Sequence, residues 1–397
     1  MCSMRSTAEN AVLDPVIRLA GPQRAQVAWT HADPIAELAR QLGDEPLSFL
    51  ALFVTPQADF AKIVASASER YPDTEVVACT TGGEIGIDGY EEGQVLAIGL
   101  PSESFAATSL LIKDIDNLDA QPLIDQIAVK RVALQERFPE MENGFAFLMV
   151  DGLSMCEDTL AASISPALRD MPLFGGSAGD GTDFGRTLVS LNGTVTQTAG
   201  VLTMVRSTYK TQVFSLNHLV PTDQRMVVTK AVPMKRIVET INAEPAAREY
   251  ARIVGKDPNQ LDRFTFAAYP VVVRIGGTHH VRAIQQVNSD GHLVFYSAVD
   301  EGMVLTVATS LDMAEHLEMK MAELSQNGQP ECIIGCDCIL RRIEAEQTQQ
   351  KREVGTILAK NNVIGFSTYG EQIGPLHVNH TMSGVAFFNP DGAAREA

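Results

Sequence analysis

The stretch EVVACTTGGEIG (75–86) decides how this chain reads. Val76, Val77, Ala78 and Cys79 make a short apolar run bounded by polar residues, the mark of a buried strand. It runs into Thr80-Thr81-Gly82-Gly83-Glu84, where consecutive glycines permit a sharp turn. Near the other end, VIGFSTYGEQIG (363–374) repeats the pattern: an apolar strand, then Ser367-Thr368-Tyr369-Gly370-Glu371, then Ile373-Gly374 where the first copy has Ile85-Gly86. A segment of helical spacing precedes each copy. Strand FLMVDG (147–152) leads to a helix beginning near Cys156, as strand CIIGCDC (332–338) leads to one beginning near Leu340. These echoes predict an α+β fold: two related domains of largely antiparallel sheets layered with helices. The predicted domains are 25–220 and 221–390, joined at VPTDQR (220–225).

Outward from these anchors, LSFLALFVT (47–55) and GFAFLMVDG (144–152) read as further buried strands. Phe60, Ile63, Val64 and Ala67 fall at helical spacing. Helices are also predicted over 121–138 and 157–169, from a Ser310 or Asp312 cap, and as one long charged helix over 340–360. LFGGSAGDG (173–181) reads as a second glycine-rich turn, and Asn192-Gly193 as a hairpin turn. Residues 270–299 alternate like an antiparallel meander.

With 397 residues, 45% hydrophobic and 20% charged, the chain has the composition and length of a globular protein of two or three domains. A net charge of −18 argues against nucleic acid or an anionic membrane as partner. No apolar run reaches the roughly 18 residues needed to cross a bilayer. The opening MCSMRSTAENAVLD lacks an apolar core, so Cys2 is not read as a lipoprotein cysteine and a cytoplasmic location is expected. Six cysteines, half of them clustered, fit free thiols better than a disulfide framework.

Three groups of residues carry candidate chemistry. Thr81, Gly82, Gly83 and Glu84, with Gly176, Ser177 and Asp180, offer backbone amides and hydroxyls to a ligand, or simply form tight turns between packed layers. Neither segment is a phosphate-binding loop. Cys332, Cys336 and Cys338 point to zinc or an iron–sulfur cluster, or to packed thiols. All three numbers are even, so in a regular strand the thiols share one face, with Cys336 and Cys338 about 7 Å apart. A shared ion then requires a break, and Gly335 is the place for one. In EQIGPLHVNHT (371–381), Glu371, His377, Asn379, His380 and Thr381 form a polar segment between apolar strands, which is expected to line a cavity. His316 falls on a helix face read as exposed, and His279-His280 is read as alternating in and out of a sheet. Ser177 lacks the strand–turn–helix context of a nucleophile elbow. Nothing places Asp151 beside Asp180, so no catalytic set is expected.

Taken in order, ACTTGGEIG (78–86), GGSAGDG (175–181), DCILRR (337–342) and GFSTYGEQIG…HVNHTMSGVAF (365–387) resemble the FIST family of bacterial sensory proteins. The resemblance implies a FIST N and a FIST C domain and a ligand-sensing role. It is similar to the stand-alone branch that binds haem, senses nitric oxide and regulates a partner histidine kinase. Where the family more usually has Asn-Gln-Thr, this chain has Asn379-His380-Thr381, a departure that either supplies a haem ligand or equally removes a ligand contact of the family; His380 and His377 are the first candidates for the haem ligand. The alternatives are a sensor of a small organic ligand such as an amino acid, its carboxylate received by the glycine-rich turns and Arg341 or Arg342, and a thiol-redox or iron–sulfur sensor. The implied partners are the kinase and nitric oxide or a small molecule, with no nucleic acid and no membrane; a homodimer is left open.

Overall fold

The structure, a computed structural model, describes residues 20–390, so Cys2 lies outside the described residues. Period-two alternation organises it. In strand Leu47–Val54, Phe49, Ala51 and Phe53 face one way and Leu50, Leu52 and Val54 the other. Its parallel partner Glu75–Thr80 and antiparallel partner Gln94–Pro101 alternate in step. Gln23–Ala28 and the hairpin Val189–Leu191/Thr194–Thr196 close this sheet at its two edges. The face carrying Leu50, Leu52 and Val54 packs on helices Pro34–Leu42 and Phe60–Arg70, where Ile35, Leu38, Ile63 and Val64 supply the apolar stripes. The face carrying Phe49, Ala51 and Phe53, with Leu96 and Ile98 from the neighbouring strand, looks into the centre of the molecule.

Two more six-stranded sheets repeat the plan. The second runs Phe105–Ile112, Gly200–Ser207, Asn143–Val150, Leu173–Ser177, then the hairpin Glu371–Ile373/Leu376–Val378. The third runs Lys210–Leu216, Met382–Phe388, Cys332–Cys338, Val363–Thr368, then the hairpin Glu84–Gly86/Gly89–Glu91. Each has an edge strand, an antiparallel strand, a parallel pair and a hairpin, and in each the hairpin belongs to a different unit of the chain. The first unit gives its hairpin to the third sheet, the third to the second, and the second to the first. The echo between 75–80 and 363–368 is thus a true equivalence, and Leu173–Ser177 is its third member. Inner faces of all three sheets share one core, in which Phe53 stacks on Phe366 at 4.7 Å and Phe147 on Phe174 at 4.9 Å. Helices cover the outer faces.

Between Lys210–Leu216 and helix Met313–Leu324 the chain inserts an eight-stranded sheet over 219–310, with its own core around Val228, Tyr250, Phe266 and Phe295. Residues 220–225, read as a linker, lie inside strand Leu219–Val232. Its register with Val304–Ser310 shifts between Pro221 and Arg225, where proline has no amide to donate. Lys210–Leu216, ahead of the expected boundary, pairs with Met382–Phe388 beyond it. Two other readings change. Residues 173–177 form a strand, so the second turn begins only after Ser177. The long helix over 340–360 is two, Ile339–Gln347 and Lys351–Lys360, because Gln349 adopts a left-handed φ of 62° between them.

Candidate functional site

The three glycine-rich turns meet on the axis that relates the units. Gly82 N–H donates to the Ser367 carbonyl at 2.8 Å, Tyr369 N–H to that of Ser177 at 3.1 Å, and Gly179 N–H to that of Thr80 at 3.1 Å, a closed ring of equivalent bonds. Ser177 N–H is taken by Gly370 and Ala178 N–H by Val150. The amides of Gly82, Ser177, Gly179 and Tyr369 join one unit to another, so for Gly82 and Ser177 the anion-nest reading is corrected. A Cβ on Gly179 would lie 2.8 Å from Gly82 N, so the ring needs glycine there. Gly176 sits in the ladder opposite Glu371, and Ser177 Oγ accepts from Gln372 Nε2 at 3.0 Å. Asp180 accepts from Tyr369 Oη and from the amides of Gly185 and Arg186; Asp151 accepts from Thr187 and Thr198. The two aspartates therefore fasten different loop segments.

Thr81 donates to Glu84, and Thr368 to Glu371, in matching turns. Glu371 is fully buried, and burial pushes its pKa up to about 8 against the bonds from Thr368 and Thr381. Burial likewise raises Glu84. Beside Thr81, Gly82, Gly83 and Glu84 lies a cavity of about 210 Å³ entered by Arg342, whose Nη2 donates to the Glu91 carbonyl at 2.9 Å and to Glu92 at 3.0 Å. Arg341 faces elsewhere. It is fully buried, with Nε on Asp337 at 2.7 Å and Nη1 on His218 Nδ1 at 2.9 Å.

Arg341 leads into a cluster that the sequence did not reveal. His218 Nε2 is 3.0 Å, and His380 Nε2 2.6 Å, from Glu344. These three residues have ligand atoms close enough for a metal ion, within 4.8 Å of one another. The proton inventory opposes that use. Arginine only donates, so His218 Nδ1 must accept, which leaves the His218 proton on Nε2, pointing at Glu344. Burial, with Arg341 nearby, lowers His218 to about 4 and keeps it neutral. Burial resists ionisation of Glu344, yet the bonds from His218 and His380 outweigh it and hold the carboxyl below its usual range. The trio is a satisfied hydrogen-bond cluster. His316, expected on an exposed face, is buried beside His218 with its Nδ1 unpartnered.

His377 lies in a second place, the seam between the inserted sheet and the three-unit body. Arg236 bonds Glu157 across the seam, Arg282 Nη1 reaches the His377 carbonyl at 3.3 Å, and Asp158 accepts from Ala298 N–H at 3.3 Å. Buried polar atoms without partners concentrate here: Arg236 Nε, Arg282 Nε, Ser297 Oγ, Gln372 Oε1, His377 Nε2 and Asn379 Oδ1. Burial lowers both Arg282 and His377. A cavity of about 120 Å³ opens onto Arg236, walled by Phe184, Tyr296 and Tyr369, with Lys235 and Gln285 at its edge. Phe184 stacks on Tyr369 at 4.6 Å. Sequence reasoning named Asn379 and His377 but missed the arginines. Arg282 carried a signal, a charge between the apolar residues Val281 and Ala283.

The implied haem ligands do not fit that role in this structure. His380 Nε2 is committed to Glu344, and His377 Nε2 is so close to Gly370 that a Cβ there would lie 2.7 Å away. Neither histidine lines the cavities described above. His279 and His280, both half-buried, alternate along strand Thr278–Val281, His279 opposite exposed Arg274 and His280 opposite buried Val273. The cysteines also depart from the metal reading. Strand Cys332–Cys338 pairs without a break on both sides of Gly335, so the condition for Cys336 and Cys338 to share an ion is not met. Cys332 and Cys336 pack in the central core, and burial raises Cys332 to about 12 and Cys336 and Cys338 well above the usual thiol value.

Among the described residues no helix is long and apolar enough to cross a membrane. A search of curated proteins returns no match. Residues 48–244 match the FIST N domain and residues 246–374 the FIST C domain, a pair of sensor domains of signal transduction. The two matches together span most of the chain, which belongs to the FIST family of sensory proteins.

Proposed function

We propose that this protein senses a small organic acid, of the amino-acid class, at the seam between the inserted sheet and the three-unit body, and signals without catalysis of its own. The observation that carries this reading is the concentration of unpartnered buried polar atoms at that seam, since such groups are normally satisfied by something. Arg236 and Lys235 supply cationic donors for a carboxylate, and Phe184, Tyr296 and Tyr369 an apolar wall. Glu157 and Asp158 pair with Arg236 and hold it at the seam. Drug-sized ligands occupy roughly 300–1,000 Å³, so 120 Å³ selects a compact molecule. A ligand bridging the seam shifts the equilibrium between its open and closed arrangements, and a partner such as a histidine kinase reads that shift. The test is calorimetry with a panel of amino acids and short carboxylic acids. Binding by one member, weakened about tenfold or more in Arg236→Gln, supports the reading; no binding across the panel, or equal binding by both proteins, defeats it.

The finer reading, haem with nitric oxide as signal, stands on the family resemblance. It requires His377 or His380 to leave the contacts described above. Reconstitution with haem decides it: a stoichiometric Soret band lost in His380→Ala or His377→Ala sustains it, and no such band removes it.

A further inference from the structure

Helix Ala120–Arg137 packs on the outer face of the second sheet through Leu123, Ile127 and Leu134, and the same buried stripe contains Arg131. Strand Gly200–Ser207 sends Leu202 and Met204 to that face, and alternation sends Arg206 there as well. Two guanidinium groups thus enter a helix–sheet interlayer whose buried residues are mostly apolar. Arg131, only 8% exposed, gives Nε to the Ala167 carbonyl at 3.1 Å. Arg206 Nε is buried with no partner. Neither arginine forms an ion pair with a carboxylate among the described residues. Both line one cavity of about 270 Å³, where Asn143 and Thr211 add an amide and a hydroxyl, while Glu142 and Asp170 stand exposed at the rim.

A guanidinium held in such a layer without a counter-charge is costly, and an anion between the two removes the cost. Two forked donors with a hydroxyl and an amide exceed what the two oxygens of a carboxylate accept, whereas a tetrahedral oxyanion offers more acceptor oxygens. The exposed acids at the rim disfavour an extended polyanion. We propose that this cavity binds a compact oxyanion of the phosphate class, either free phosphate or the phosphoryl group of a small phosphomonoester. The site is separate from the seam and does not rest on the reading given to it.

Calorimetry of the full chain with inorganic phosphate, and separately with O-phosphoserine, in chloride buffer tests this. One-to-one binding of either probe is expected, weakened about tenfold or more in Arg206→Gln, with the circular dichroism of the variant unchanged. Binding by both probes identifies the phosphomonoester as an accepted source; binding by phosphate alone restricts the site to the free ion. Arg131→Gln is expected to lose binding too, and if that variant does not fold, Arg206→Gln still decides. Absence of saturable binding by either probe, or equal affinity in the wild type and Arg206→Gln, overturns the proposal.

Discussion

Glu371 and His218 are displaced from their ordinary pKa values in opposite directions, and the linkage gives each a sign. Glu371 rises from 4.5 to about 8, so the folded state keeps a proton that the unfolded state releases. Its contribution to stability is whole below pH 4.5 and is lost as pH climbs to about 8. His218 falls from 6.5 to about 4, so its contribution is present above pH 6.5 and is lost as pH drops through 4. Between pH 6.5 and 8 only Glu371 of this pair acts. We expect the melting temperature to fall across that window and the fall to disappear in Glu371→Gln; the same slope in the variant shows that another group carries it. At the ring of turns, Gly179→Ala forces a Cβ against Gly82 and the Tyr369 ring. Overpacking of this kind costs about 1–3 kcal/mol, measurable by chemical denaturation, and an unchanged midpoint refutes the close approach. The matching positions of Thr81 and Glu84 and of Thr368 and Glu371 were legible in the sequence as a repeated spacing, and the structure adds the bond within each turn. The use of the ring amides was not legible, because their acceptors lie in other units of the chain.

At the scale of the element, strand Cys332–Cys338 shows what alternation conveys. Parity alone placed the three thiols on one face, and the unbroken pairing through Gly335 leaves Cys332 and Cys336 as core residues. Among the described cysteines, only Cys156 is less than fully buried and within reach of a thiol reagent in the native state. We expect Cys79, Cys332, Cys336 and Cys338 to react only on unfolding. Cys336→Ser puts a hydroxyl into the shared core, with an expected loss of about 1–3 kcal/mol and no change in zinc or iron content. Loss of stoichiometric metal in that variant refutes the packing account. Helix readings were less complete. The charged run 340–360 has helical character throughout, but the left-handed Gln349 that divides it leaves no mark in composition.

The whole molecule is held by exchange. Hairpin 84–91 completes the third sheet, hairpin 371–378 the second and hairpin 189–196 the first, around one common core. A fragment of residues 20–208 lacks a wall of that core and the hairpin 371–378, so it is expected not to fold cooperatively. Residues 219–310 have a separate core and ends that pair at Leu219 and Ser310, so that segment is expected to fold alone. Dispersed amide spectra from the first fragment, or collapsed spectra from the second, contradict this division. The sequence by itself determined most of the strands, the alternation of faces along them and which family the chain resembles. These follow from backbone periodicity and neighbouring residues. Only the tertiary structure decided that there are three related units, that Arg341 and Arg342 serve different places, and that His218, Glu344 and His380 meet. Strand pairing and buried polar contacts join residues far apart in the chain, and local spacing carries no record of which distant edge a strand will meet.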